Sequence, residues 1–191
     1  MILSNVSKFP VVVIAPPRSG SSVICAQIGI DLNIKHFSDI TYAVDQKEIE
    51  KFLEFIQSTD QYVMKFHSFD MYKYPSWLVD KILNGETYNV KVTRNNLLLH
   101  VASAYVAQMR QLYHYDSVDV SNYNGPMLIK MRAIEQSISR IKKAVEELDS
   151  LPVPFDTVIE YSDYVYDGDA CARTPLPSNY NAILKVIESV L

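Results

Sequence analysis

The sequence predicts an α/β protein, three layers deep, in which helices cover both faces of a central parallel sheet. Three observations carry that prediction. Short apolar runs rich in β-branched residues recur along the chain, helical periodicity separates them, and no internal repeat or low-complexity tract interrupts the alternation. With 191 residues and 48% apolar content the chain can bury a sizeable core, and we expect one domain, residues 1–191.

The first element is "VVVIA", Val11 to Ala15, a continuous apolar run of the kind that lies buried on both faces in a central parallel strand. A turn and then a helix from about Ser21 follow it. "DQKEIEKFLEFIQS" opens with Asp45 and Glu48 in capping-box spacing and repeats apolar residues at Ile49, Phe52, Leu53 and Ile56, which predicts the second helix. "QYVMKF" and "TYNVKVT" read as strands, and "PSWLVDKILNG" between them has the proline-first, glycine-last asymmetry of a helix. A helix is expected from Asn96 to about Leu112, then a tyrosine-rich loop, then a long amphipathic helix from Met127 to Leu148. "FDTVIEY" makes a fourth strand and "PSNYNAILKVIESVL" a closing helix that starts near Ser178.

Charge and cysteine content narrow the function classes. Eighteen basic against twenty-two acidic residues leave a formal charge of −4, so a nonspecific grip on nucleic acid or an acidic membrane is not expected, although a local basic pocket fits that balance. Two cysteines, Cys25 and Cys171, are too few and too far apart for a disulfide framework or a zinc site. Near the N-terminus Lys8 precedes a short apolar run that ends at Pro16 and Pro17, which fits neither a signal peptide nor a membrane span, and the expected location is cytoplasmic.

Parallel sheets bind ligands at the carboxyl ends of their strands, which singles out Ala15 to Ser22, Lys65 to His67 and Arg94 to Asn96. In "APPRSGSSV" a glycine and small hydroxyl residues join a buried strand to a helix. Backbone N–H groups there converge where the helix dipole favours negative charge, the geometry of a phosphate cradle. Arg18 adds a forked, permanently charged donor, and the hydroxyls of Ser19, Ser21 and Ser22 add more. The same residues also make an ordinary helix cap. The loop of nucleotide triphosphatases needs Gly-Lys-[Ser/Thr], whereas Gly20 is followed by Ser21, so a triphosphate-and-magnesium site lacks its principal cation.

Pro17-Arg18-Ser19-Gly20-Ser21-Ser22 resembles the 5′-phosphosulfate loop of the sulfotransferases, enzymes whose donor is 3′-phosphoadenosine 5′-phosphosulfate (PAPS). That loop reads Pro-[Lys/Arg]-Ser-Gly-[Ser/Thr]-[Ser/Thr] between a strand and a helix. "KVTRNNLLLHVASAY" resembles the family's 3′-phosphate element, in the form carried by the bacterial and phage-type relatives of the trehalose sulfotransferase group. The resemblance implies that Arg94 and Ser103 bind the 3′-phosphate; taken alone, Ser103 equally suits a small residue on a helix-packing face. Lys65-Phe66-His67 has the family's Lys-x-His spacing, and on an extended strand both side chains point to one side. Lys65 would stabilise charge on the transferring sulfonate, and His67 would take the acceptor hydroxyl's proton. A solvated strand-end lysine and a satisfied histidine are the bland alternatives.

His36 falls where the trehalose-type relatives place a glutamate base and is a reserve proton acceptor. His100 and His114 are expected to be structural, while Tyr72, Tyr74 and Trp77 suit either stacking or core packing. "CARTPLPSNYNAIL" is similar to the closing segment of the bacterial relatives, which implies that Arg173 reaches the nucleotide. The chain lacks the Arg-Lys-Gly segment that clamps the 3′-phosphate in the eukaryotic cytosolic enzymes.

As a whole the resemblance implies a P-loop, nucleotide-hydrolase-like fold and a sulfotransferase that moves a sulfonate from PAPS to a hydroxyl, a carbohydrate being one candidate, without a metal. A degenerate P-loop nucleotide kinase and a noncatalytic nucleotide-binding protein are the competing classes.

Overall fold

The computed structural model describes residues 3, 6–38, 46–111, 125–161 and 176–191. Their strands are β1 (Val11–Ala15), β2 (Lys35–Phe37), β3 (Tyr62–His67), β4 (Tyr88–Thr93) and β5 (Thr157–Glu160). Their α-helices are α1 (Ser21–Leu32), α2 (Gln46–Ser58), α3 (Ser76–Leu83), α4 (Leu97–Arg110), α5 (Met131–Ser150) and α6 (Tyr180–Glu188), with a 3-10 helix over Ser68–Lys73. The strands form one parallel sheet in the order β2-β3-β1-β4-β5.

Pleat parity divides the sheet into two packing faces. Val12, Ile14, Met64 and Phe66 point toward α2, α3 and the end of α5, where they meet Phe52, Ile56, Leu78, Ile82 and Leu148. Val11, Val13, Ala15, Val63, Val90 and Val92 point the other way, toward Ile24, Cys25 and Ile28 of α1. Helices therefore cover both faces. Burial from both sides explains why β1 is apolar at every position. Each of its valines and its isoleucine is fully buried, and such burial contributes about 1.5–3 kcal/mol per side chain relative to exposure. A third cluster joins α4, α5 and α6 through Val101, Tyr105, Ile134, Ile141, Ile183 and Ile187.

Four strands and six helices lie where the sequence predicts them, with three differences of detail. β2 is a fifth, three-residue strand at the sheet edge, paired with β3 from Lys35↔Tyr62 to Phe37↔Met64. The 3-10 helix after β3 is also unanticipated. α5 starts at Met131 rather than Met127, because the preceding backbone is held by side chains from elsewhere. Asn179 exchanges hydrogen bonds with the N–H and carbonyl of Met127 at 2.9 and 2.8 Å, and Tyr105 Oη donates to Leu128 O while accepting from Lys130 N.

The strand order fixes where a ligand can sit. From β1 the chain builds β2 and β3 on one side and then β4 and β5 on the other, so the direction of winding reverses at β1. In open parallel sheets that reversal leaves a crevice beyond the carboxyl ends of the strands that flank it. Here those ends are Ala15, His67 and Thr93.

Candidate functional site

Ala15 leads into residues 16–20, a loop whose backbone is contorted at two points: Arg18 has φ 64° and Gly20 φ 82°. Gly20 is the N-cap of α1, and no acidic side chain occupies the helix's first turn. The capping residue has no side chain to offer the first amides of α1, so that end of the helix presents N–H groups and the positive end of its dipole to the crevice. Ser19 is fully buried and its Oγ has no hydrogen-bond partner among the described residues.

From β3, Lys65 and His67 share the face of Val63, the α1 side of the sheet. Lys65 pairs in register with Val13 and is 3% exposed, and its Nζ donates to Ser22 Oγ at 2.9 Å, which brings an ammonium group to the first turn of α1. A hydroxyl that accepts from lysine keeps its own proton to donate elsewhere. His67 lies beside Ala15, with Nδ1 3.4 Å from Ala15 O and its ring stacked on Phe69. A carbonyl can only accept, so this bond places the proton on Nδ1 and leaves Nε2 as the basic nitrogen of the neutral ring.

From β4 and α4, Arg94 Nη1 donates to Arg18 O at 3.3 Å, and Arg18 Nε donates to Ser103 Oγ at 3.4 Å. Asn96 is the N-cap of α4, its Oδ1 accepting from Leu99 N at 3.0 Å, and so performs a structural task. His100, one turn on, is fully buried, and its Nε2–H donates to Pro17 O at 2.7 Å. Burial pushes its pKa down to about 4; the Arg94 and Arg18 guanidiniums act in the same direction, against the Pro17 carbonyl. His100 is therefore neutral near pH 7 and acts as a brace between α4 and the loop. From the sequence it reads as structural with no nameable partner; Arg94 is only six residues away, but Pro17 and Arg18, which complete its surroundings, are more than eighty residues distant.

Tyr161, just beyond β5, completes the enclosure. Its N–H donates to Thr93 O at 2.7 Å, its ring lies 5.5 Å beneath the Arg94 guanidinium, and a Cβ on Gly20 would fall 2.4 Å from that ring. No sequence pattern marks it, because it belongs to the site only through strand pairing.

The structure thus gathers Arg18, Ser19, Gly20, Ser21, Ser22, Lys65, His67, Arg94 and Ser103 around the carboxyl end of β1. His36 is elsewhere: it sits on β2 against Gly29, over two turns into α1 from the helix start, and so away from the crevice. Tyr74 packs edge-on against Phe66 at 4.0 Å and Trp77 joins the same core, whereas Tyr72 is exposed. Arg173, Cys171, His114 and the aromatic loop between Tyr113 and Tyr123 lie outside the described residues. No helix among the described residues is long and apolar enough to cross a membrane, and no group of His, Cys, Asp and Glu among them could hold a metal ion.

The arrangement offers donors and positive charge to anionic groups. The α1 terminus with Lys65 and Ser22 offers one cationic pole, and Arg18, Arg94 and Ser103 offer another. No protein-family model matches the chain, and no curated protein matches it at a significant level.

Proposed function

We propose that the chain is a sulfotransferase that moves a sulfonate from PAPS to a hydroxyl group. One observation carries the reading: the residues of three short motifs, far apart in sequence, meet at the switch point of a parallel sheet, with cationic side chains on either side of a helix N-terminus. Gly20 agrees with it, since the N-cap of α1 carries no side chain that could occupy the first amides of the helix.

The donor supplies the sulfonate and a phosphate leaving group. The amides of residues 18–22 and Ser22 Oγ hold the 5′-phosphate, and Lys65 neutralises the charge that gathers on the oxygen between sulfur and phosphorus as that bond lengthens. His67 Nε2 accepts the proton of the acceptor hydroxyl while its Nδ1–H stays on Ala15 O. The new bond joins the acceptor oxygen to sulfur, the sulfur–phosphate oxygen bond breaks, and its electron pair remains on 3′-phosphoadenosine 5′-phosphate (PAP).

The test is calorimetric titration with PAP in the absence of magnesium, with ADP as the control, followed by a screen of sugar, phenol and peptide hydroxyls with PAPS. Binding of PAP that ADP does not reproduce, with metal-independent release of PAP in the presence of an acceptor, is the expected result. Equal binding of the two nucleotides would overturn the donor assignment, and magnesium-dependent transfer from ATP would favour a kinase.

A noncatalytic nucleotide-binding role draws support from the small exposure of His67, 9%, and its stacking on Phe69. His67→Asn separates the two readings, because an asparagine amide can keep the bond to Ala15 O but cannot act as a base. Turnover is expected to fall by about 10²–10⁴-fold with PAP affinity retained.

A further inference from the structure

We propose that Arg18, although it belongs to the loop that cradles the 5′-phosphate, is a ligand of the 3′-phosphate and takes the place of the clamp this chain lacks. The inference rests on the PAPS reading above and concerns how the site tells a 3′-phosphorylated nucleotide from one without that group.

The two residues implied to bind the 3′-phosphate both touch Arg18. Ser103 Oγ accepts from its Nε at 3.4 Å, and Arg94 Nη1 donates to its carbonyl at 3.3 Å. The Arg18 side chain consequently runs to α4. A positive φ at a residue with a β-carbon costs about 1–2 kcal/mol, and such strain persists only where its surroundings impose it. Here His100 holds the carbonyl of the preceding residue and Arg94 holds that of Arg18 itself. The depressed pKa of His100 agrees with this placement, since both guanidiniums bear on it.

The other pole already has its own cation. Lys65 reaches the first turn of α1 through Ser22 at 2.9 Å, so the 5′-phosphate does not need the arginine. Two guanidiniums and a hydroxyl suit a terminal phosphomonoester, which carries a charge of about −1.5 to −2 at neutral pH and accepts paired N–H donors. In the enzymes that possess it, the Arg-Lys-Gly clamp supplies this additional charge from a separate segment. In this chain the loop contributes it, and the two phosphate subsites therefore share one residue.

The experiment compares PAP with AMP, which lacks only the 3′-phosphate, by calorimetry on wild type, Arg18→Gly and Arg18→Lys. Glycine tolerates the positive φ and leaves the carbonyl in place for Arg94, so the loop is kept while the side chain is removed. Wild type is expected to prefer PAP. Arg18→Gly should weaken PAP about tenfold to hundredfold while changing AMP by less than about threefold, and Arg18→Lys should fall between. Parallel loss of both nucleotides would make Arg18 a 5′-phosphate ligand or a purely structural residue and overturn the proposal, as would an unchanged preference for PAP. If wild type itself binds PAP and AMP alike, the nucleotide reading has failed, and the proposal falls with it.

Discussion

Gly20 is the position where a single added carbon matters most. Its φ of 82° costs a side-chain-bearing residue about 1–2 kcal/mol, and a Cβ there would lie 2.4 Å from the Tyr161 ring. Gly20→Ala is therefore expected to lower stability by at least that amount and to weaken PAP binding at least tenfold. In a Tyr161→Ala background the same substitution should cost less, because only the backbone contribution remains; a double-mutant cycle with coupling below about 0.5 kcal/mol would show that the ring does not constrain the loop. His100 gives a pH prediction. Its folded pKa of about 4 lies below the ordinary 6.5, so between those values the unfolded chain binds the extra proton, and stability falls as pH drops through that window. The loss, on the order of 3 kcal/mol, should appear in urea unfolding at pH 4 against pH 7 and shrink in His100→Gln, which cannot titrate.

At the scale of elements, the site end and the opposite end of the sheet are separately secured. Asn89, at the start of β4, is fully buried: its Nδ2 donates to Ile82 O and Pro154 O, and its Oδ1 accepts from Thr87 Oγ1 at 2.6 Å. It fastens the end of α3 and the approach to β5 to the same strand. Asn89→Ala would remove the partner of the Pro154 carbonyl and of the Thr87 hydroxyl, while Ile82 O keeps its bond from Gly85 N, and we expect a loss of about 2–4 kcal/mol in chemical denaturation with PAP affinity unchanged below the transition. The elements that periodicity identified are those with a buried stripe, such as Ile49, Phe52, Leu53 and Ile56 in α2. β2 escaped because Lys35 and His36 are exposed and only Phe37 turns inward, which leaves no alternation to read. The start of α5 was misplaced by four residues because Met127 to Lys130 are satisfied by Asn179 and Tyr105, partners that no local pattern reveals.

Across the whole molecule the chain is acidic, yet Arg18, Lys65 and Arg94 gather at one crevice. Attraction to a nucleotide is then local, and raising salt from about 50 mM to about 500 mM should weaken PAP several-fold and AMP less, as isothermal titration would show; equal salt dependence would mean that the second phosphate meets no cluster of charge. Most residues that gather at the crevice stood out because they lie in three short motifs at strand ends, whereas Tyr161 did not. The direction of the Arg18 side chain was not legible, since it follows from a contorted backbone and from α4, neither of which sequence spacing encodes.

The central place of β1 also sets an order of assembly. It precedes its partners in the chain and is distant from them: Val11 pairs with Val63 on one side and Tyr88 on the other. Such non-local pairing slows folding, because loop-closure entropy is lost before the contacts form. A nascent chain that stops short of β4 holds a fully apolar strand with one edge bare, open to aggregation and to chaperones. The loop over residues 16–20, made before them, can take its final shape only after Arg94, His100 and Tyr161 have been synthesised and docked.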